Sequence, residues 1–145
     1  MVKKIKILFI CKWNRFRSKF AEAYFNQINK DKKVKANSVG VLEVNIPMKP
    51  IEVKRNKWIK KEFGITLSEK SKGINVKDLD DAGKIIVVAD DIPLSIFKNK
   101  KRWEEKLVVW NIKDGDAKDK KNLNKIVNTI KKKVEFLIKS PEKQK

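Results

Sequence analysis

Apolar positions run along this chain in two rhythms. Lys4-Ile5-Lys6-Ile7-Leu8-Phe9-Ile10 opens as alternation and becomes continuously apolar, the pattern of a strand buried on both faces. A loop from Lys12 to Phe16 follows, and then Phe20, Ala21, Tyr24, Phe25 and Ile28 recur at helical spacing over Ser18 to Ile28. Val34 to Val39 predicts a second strand, ended by Gly40. Pro47 and Pro50 mark a loop, after which Ile51 to Phe63 predicts a helix stopped by Gly64. Lys84 to Ala89 predicts another buried strand, and Leu107 to Trp110 a short fourth. Leu123, Ile126, Val127, Ile130, Val134, Leu137 and Ile138 step by three or four throughout, which predicts a long amphipathic helix.

Strands alternating with helices predict an α/β fold: one three-layer domain over residues 1–139, with a small four-stranded parallel sheet flanked by helices on both faces. Residues 140–145 are expected to form a flexible tail. The length of 145 residues suits one core and leaves no room for a second domain of ordinary size. In such sheets ligands sit beyond the carboxyl ends of the strands, so the loop after the first strand is the place to look for chemistry.

Composition removes several chemistries. The chain has no histidine, which excludes Ser-His and Cys-His triads, imidazole proton shuttles and His-ligated metals. One cysteine excludes an intramolecular disulfide and any cysteine-rich zinc site. Apolar runs such as Ile7 to Cys11 fall far short of the ~20 residues of a membrane span. The N-terminus has a lysine pair but no sustained apolar stretch or small-residue cleavage site, so a cytoplasmic protein without a membrane partner is expected.

The formal net charge is +19, from 37 basic and 18 acidic residues. Only Arg15, Arg17, Arg55 and Arg102 are arginine, and many of the lysines stand between apolar positions as a solvated surface would place them. A nucleic-acid partner is possible on this charge but not favoured. Attraction of anionic substrates follows in either case.

The loop after the first strand holds the lone cysteine: Cys11-Lys12-Trp13-Asn14-Arg15-Phe16-Arg17-Ser18. Cysteine, five residues, then arginine and serine is the layout of a phosphate cradle built around a thiolate. Backbone N–H groups of a tight loop running into a helix N-terminus form an anion nest, reinforced by the helix dipole. The same field favours the nucleophilic thiolate of Cys11. Arg17 can grip two phosphoryl oxygens with its planar fork, which a lysine cannot do. Ser18 can donate a hydrogen bond to the sulfur. Lys12, Arg15 and Lys19 would raise the local positive potential, and Trp13 would either wall the pocket or pack beside the loop.

The stretch ILFICKWNRFRSKFAEAYF resembles the strand, phosphate loop and first helix of the low-molecular-weight protein tyrosine phosphatase family, which also contains the thioredoxin-linked arsenate reductases. Ser38-Val39-Gly40 falls where that family carries Ser-Ala-Gly, and Pro47 to Lys72 resembles its proline-bearing loop and second helix. Trp110-Asn111-Ile112-Lys113-Asp114 resembles the segment leading to its catalytic aspartate. The resemblance implies a flavodoxin-like strand order and a phosphomonoester hydrolase, a tyrosine phosphatase above all, acting on a phosphorylated protein or a small phosphate ester. It implies that Cys11 is the nucleophile of a cysteinyl-phosphate intermediate and that Asp114 is the general acid and base. Arg17 and the amides of Lys12, Trp13, Asn14, Arg15, Phe16 and Arg17 would hold the phosphoryl oxygens, with Ser18 beside them. Asn14, Ser18 and Ser38 would support the loop, and no metal or cofactor is implied.

The chain departs from the family at named positions. Trp13 stands where the family has glycine, Phe16 replaces a second loop cysteine, and the family's Asp-Pro is Asp114-Gly115. Lys70 falls where a histidine buttresses the loop, Asp116 is the alternative acid, and Asp90-Asp91 read as loop structure or rim charge. Two other functions stay open: an arsenate reductase served by an external thiol, and a catalytically weak phosphate- or nucleic-acid-binding module.

Overall fold

The structure, a computed structural model, describes residues 5–43 and 45–140. Four strands form one parallel sheet: β1 (Ile5–Cys11), β2 (Val34–Gly40), β3 (Lys84–Val87) and β4 (Leu107–Val109), in the order β2-β1-β3-β4. The helices are α1 (Arg17–Ile28), α2 (Pro50–Phe63), α3 (Val76–Asp81), α4 (Lys101–Glu104) and α5 (Lys120–Lys139), with a single 3-10 turn at Leu94–Ile96. The expected α/β architecture and flavodoxin-like order are both observed.

Pleating divides the core into two layers. Ile7 and Phe9 of β1 join Ile86 and Val108 on one face, where they pack with Phe20 and Phe25 of α1 and with Leu123, Ile130 and Val134 of α5. Leu8 and Ile10 point the other way and join Ile85 and Val87, Leu79 of α3, Phe97 and Trp103 of α4. That two-sided burial is why the central strands read as unbroken apolar runs. The long amphipathic stripe does what its spacing predicts: Leu123, Ile126, Val127, Ile130, Val134 and Leu137 are all buried along α5. Gly64 ends α2 in the left-handed region (φ 68°), and its N–H donates to the Lys60 carbonyl.

Differences from the periodicity lie at ends and in short elements. β3 stops at Val87 rather than Ala89, although Val88 and Ala89 are buried and the Val88 amide still donates to Ile10. α5 begins three residues before Leu123, with Asp119 capping the Asn122 amide. α3, α4 and the 3-10 turn were not foreseen. α3 buries only Leu79 and α4 only Trp103, so neither has a second apolar turn to set a period. The Asn75 cap, whose side chain accepts from the Asp78 amide, was the local signal for α3. Trp103 and Trp110 are buried and Trp58 packs against the core. Of the expected tail, only Ser140 is described, as the C-cap of α5; residues 141–145 and Lys4 lie outside the described residues.

Candidate active site

β1 delivers Cys11 to the carboxyl edge of the sheet, opposite Gly40 of β2. The loop then turns directly into α1, whose first residue is Arg17. α3 and α5 are capped by Asn75 and Asp119, but the Phe16 position of α1 supplies no side-chain cap, and its first turn carries no acidic residue. A 12-residue helix thus presents its positive end at the cysteine with no acidic residue in its own first turn.

The loop is tied down by a buried polar network. Ser18 Oγ lies 3.0 Å from Cys11 Sγ. The Asn14 side-chain amide donates to Ser18 Oγ at 2.9 Å and to Ser38 Oγ at 3.0 Å. Its carbonyl oxygen accepts from the Lys72 amide at 2.9 Å, so a fully buried side chain has every one of these contacts inside the loop's own supports. Ser38 in turn donates to Glu22. Asn14 has a φ of 54° and is the sole non-glycine with positive φ among the described residues. The left-handed turn therefore falls at Asn14, and Trp13 fits its position without a glycine-like backbone.

Gly40 has a spatial role that its place at a strand end did not reveal. A Cβ there would lie 2.8 Å from the Asn14 nitrogen and 2.8 Å from the Trp13 carbonyl carbon. The bare backbone lets the phosphate loop lie against β2. Lys70, which stands where the family has a buttressing histidine, is exposed, and its neighbours support the loop: Ser71 Oγ donates to the Trp13 carbonyl at 2.8 Å, beside the Lys72 amide bond to Asn14. The Lys72 contact is a backbone donation that needs no particular side chain, so it leaves no mark in the sequence.

Arg17 is 2% exposed and held on three sides. It donates to the Ile112 carbonyl at 2.9 Å and to Asp91 at 3.1 Å, and its Nε lies 3.8 Å from Asp114 Oδ1. Asp91, expected as loop structure or a rim charge, follows β3 at the same sheet edge and reaches the guanidinium. Asp114 Oδ1 also accepts from the Gly115 amide, whereas Asp116 turns to the Lys118 amide. Gly115 sits so close to α5 that a Cβ would come within 2.6 Å of Ile126 Cδ1.

A cavity of about 510 Å³ opens over the loop, lined by Cys11, Arg17, Asp114 and Asp116 among others. Trp13, 40% exposed, forms part of its wall, with the Lys12 ammonium over its ring. Arg15, Phe16 and Arg55 complete the side formed with α2. Arg55 was missed in the sequence: it donates to the Arg15 carbonyl at 3.2 Å and lies over the Phe16 ring, and burial pushes its pKa down. Lys19, on α1 below the loop, is likewise pushed down by burial, against the pull of Glu22 and Cys11. Among the described residues, no group of three or more His, Cys, Asp and Glu is placed to hold a metal ion. No helix among them is long and apolar enough to cross a membrane.

A cysteine at a strand end, a tight loop beneath an open cavity, and an arginine at the head of the next helix are the layout of a cysteine-based phosphate-loop protein. The low molecular weight phosphotyrosine protein phosphatase family matches residues 6–145, and the chain belongs to that family. Its members are hydrolases, so the protein is an enzyme of the phosphatase class. Sequence comparison with curated proteins gives no match. Among solved structures, a low molecular weight protein tyrosine phosphatase from T. tengcongensis superposes with a TM-score of 0.77 at 24% identity, covering 94% of this chain and 99% of the other. An arginine phosphatase from Geobacillus stearothermophilus reaches 0.75 at 18% identity, over 95% and 93%. An arsenate reductase from Archaeoglobus fulgidus reaches 0.65 at 24%, over 92% and 98%. At these identities the likeness shows a shared fold.

Proposed function

We propose that this protein hydrolyses phosphomonoesters, phosphotyrosine on proteins among them, through a cysteinyl-phosphate on Cys11. The observation that carries the reading is the position of Cys11 Sγ, 3.0 Å from Ser18 Oγ at the uncapped head of α1, with the buried Arg17 in the same cavity.

In the first step the Cys11 thiolate attacks phosphorus, an S–P bond forms and the ester P–O bond breaks. Asp114 gives its proton to the departing oxygen. In the second step water attacks phosphorus, Asp114 takes the water's proton, and the S–P bond breaks to restore the thiolate and release inorganic phosphate. Arg17 and the amides of Lys12 to Arg17 hold the three equatorial oxygens while charge redistributes, and Ser18 stabilises the sulfur as it leaves. Asn14 and Ser38 act by holding the loop. No step uses a metal.

The test is turnover of aryl phosphates by wild type and single variants. Cys11→Ser is expected to lose turnover and still bind inorganic phosphate, since the amides and Arg17 remain. Arg17→Lys is expected to be nearly as impaired as Arg17→Ala, because one point charge cannot replace a two-pronged donor. Unchanged activity in Cys11→Ser, or loss of activity on chelation, overturns the mechanism. Arsenate fits the same cradle, and a family fold is shared with an arsenate reductase. Thiol-dependent arsenate reduction that outruns phosphate-ester hydrolysis assigns the protein to that chemistry instead.

A further inference from the structure

This chain uses lysine for nearly all its positive charge and has only four arginines, yet Arg15, Arg17 and Arg55 all line the one cavity that contains Cys11. The fourth, Arg102 of α4, pairs with Asp80 of α3 at 2.8 Å. A solvated surface shows no such sorting, because lysine and arginine serve it equally. The planar guanidinium differs from lysine in its fit to oxyanions, and that difference applies where the three are gathered.

Arg17 serves the scissile phosphate under the proposal above. Arg15 and Arg55 are not needed for that, and both are buried, at 8% and 7% exposed. Arg15 is pinned by Glu52 at 3.1 Å and by the Ile46 carbonyl, and its buried Nε has no hydrogen-bond partner. Arg55 is braced against the Arg15 carbonyl and the Phe16 ring. Lys49, at the head of α2, lines the same wall. Glu52 is the one carboxylate on that wall against three cations, and its Oε1 is already shared between Arg15 and the Lys49 amide. Of the other acids near the cavity, Asp91 pairs with Arg17, Asp116 accepts from the Lys118 amide, and Asp114 lies 3.8 Å from Arg17 and also acts on Arg55. The wall is a fixed surplus of positive charge in a partly desolvated hollow, which costs free energy unless an anion meets it.

From this asymmetry we infer that the substrate is a phosphomonoester carrying a second oxyanion, carboxylate or phosphoryl, which the Arg15–Arg55–Lys49 wall binds while Arg17 and the loop hold the scissile group. This rests on the hydrolase reading for its turnover but not for its binding. Oxyanion recognition at the second position has the same chemistry whichever group supplies it.

The test uses the intact protein and para-substituted phenyl phosphates in which a methylene insulates the ring: carboxymethyl, phosphonomethyl and neutral carbamoylmethyl. Leaving-group strength is then matched and the second anion is the variable. Wild type is expected to prefer the anionic esters over the amide by about tenfold in kcat/KM, the size of one charge-assisted contact. The larger of the carboxymethyl and phosphonomethyl ratios identifies the preferred anion. The ratio, taken within each variant, is expected to fall to near one in Arg15→Gln and Arg55→Gln, to fall partway in Lys49→Gln, and to stay at the wild-type value in Arg102→Gln. Lys49 is exposed, so its variant reports even if the buried arginines prove necessary for folding. Calorimetry with the corresponding benzylphosphonates measures the same preference without turnover. A wild-type preference at or below one in both arms overturns the second-anion wall and leaves the hydrolase reading standing. Preferential binding without hydrolysis of any ester keeps the wall and overturns the hydrolase.

Discussion

Both carboxylate oxygens of Asp91 lie 3.1 Å from Nη2 of Arg17, 74 residues earlier in the chain. The pair joins the segment after β3 to the head of α1, and the guanidinium is held by Asp91 at Nη2 and by the Ile112 carbonyl at Nη1. Asp91 therefore positions the Arg17 guanidinium.

Asp91→Ala is expected to lower kcat/KM by about tenfold and to weaken inhibition by inorganic phosphate to a similar extent, the scale of one lost charged hydrogen bond. Asp91→Asn retains an acceptor and should recover most of both. A purely structural role would lower thermal stability in both variants and leave the phosphate inhibition constant unmoved.

Asp114 is the nearer of the two cavity aspartates to Arg17. A general acid matters most for a poor leaving group, because protonation then relieves more charge in the transition state. Asp114→Asn should slow esters of basic phenols strongly and p-nitrophenyl phosphate less, with phosphate affinity nearly intact. The measurement is kcat against leaving-group pKa for Asp114→Asn and Asp116→Asn side by side. A steeper dependence in the Asp116 variant moves the acid two residues along.

Gly40→Ala places a methyl group against the Asn14 and Trp13 backbone at 2.8 Å. Neither contact is a flexible side chain, so the loop must shift. The expected loss is about 1–3 kcal/mol of stability, with weaker phosphate binding than in wild type. Thermal melting with and without phosphate measures both effects, and an unchanged melting temperature would show that the loop does not rest on β2.

Tyr24 donates to Glu135 at 2.5 Å, linking α1 to α5, and burial followed by that bond pushes its pKa up to about 12. A raised folded-state value means the contribution is fully present below the unfolded tyrosine value of about 10 and is lost as pH rises through about 12. The stability difference between wild type and Tyr24→Phe should thus be constant to about pH 10 and shrink above it. Denaturant unfolding at stepped pH measures that difference, and taking it against the variant cancels the lysines that titrate in the same range.

Sequence alone determined what local physics can encode. The two-sided burial of β1 and β3 is visible as apolar runs, the face of α5 as a stripe, and the end of α2 as Gly64, because each is set by neighbours in the chain. The Cys11-to-Ser18 spacing was legible for the same reason: a loop of fixed length between a strand and a helix brings its own ends together. Only the tertiary structure decided what meets that loop from elsewhere. Asp91 is 74 residues from Arg17, Ser71 is 58 from Trp13, and Arg55 is 40 from Arg15. None of these partners carries a local signature, since an aspartate after a strand or an arginine on a helix is ordinary until parallel pairing sets β3 beside β1 and α2 comes to lie over the loop. The same holds for the sorting of arginine from lysine. Four arginines are countable in the sequence, but the convergence of three of them on one cavity is a fact of how the chain folds.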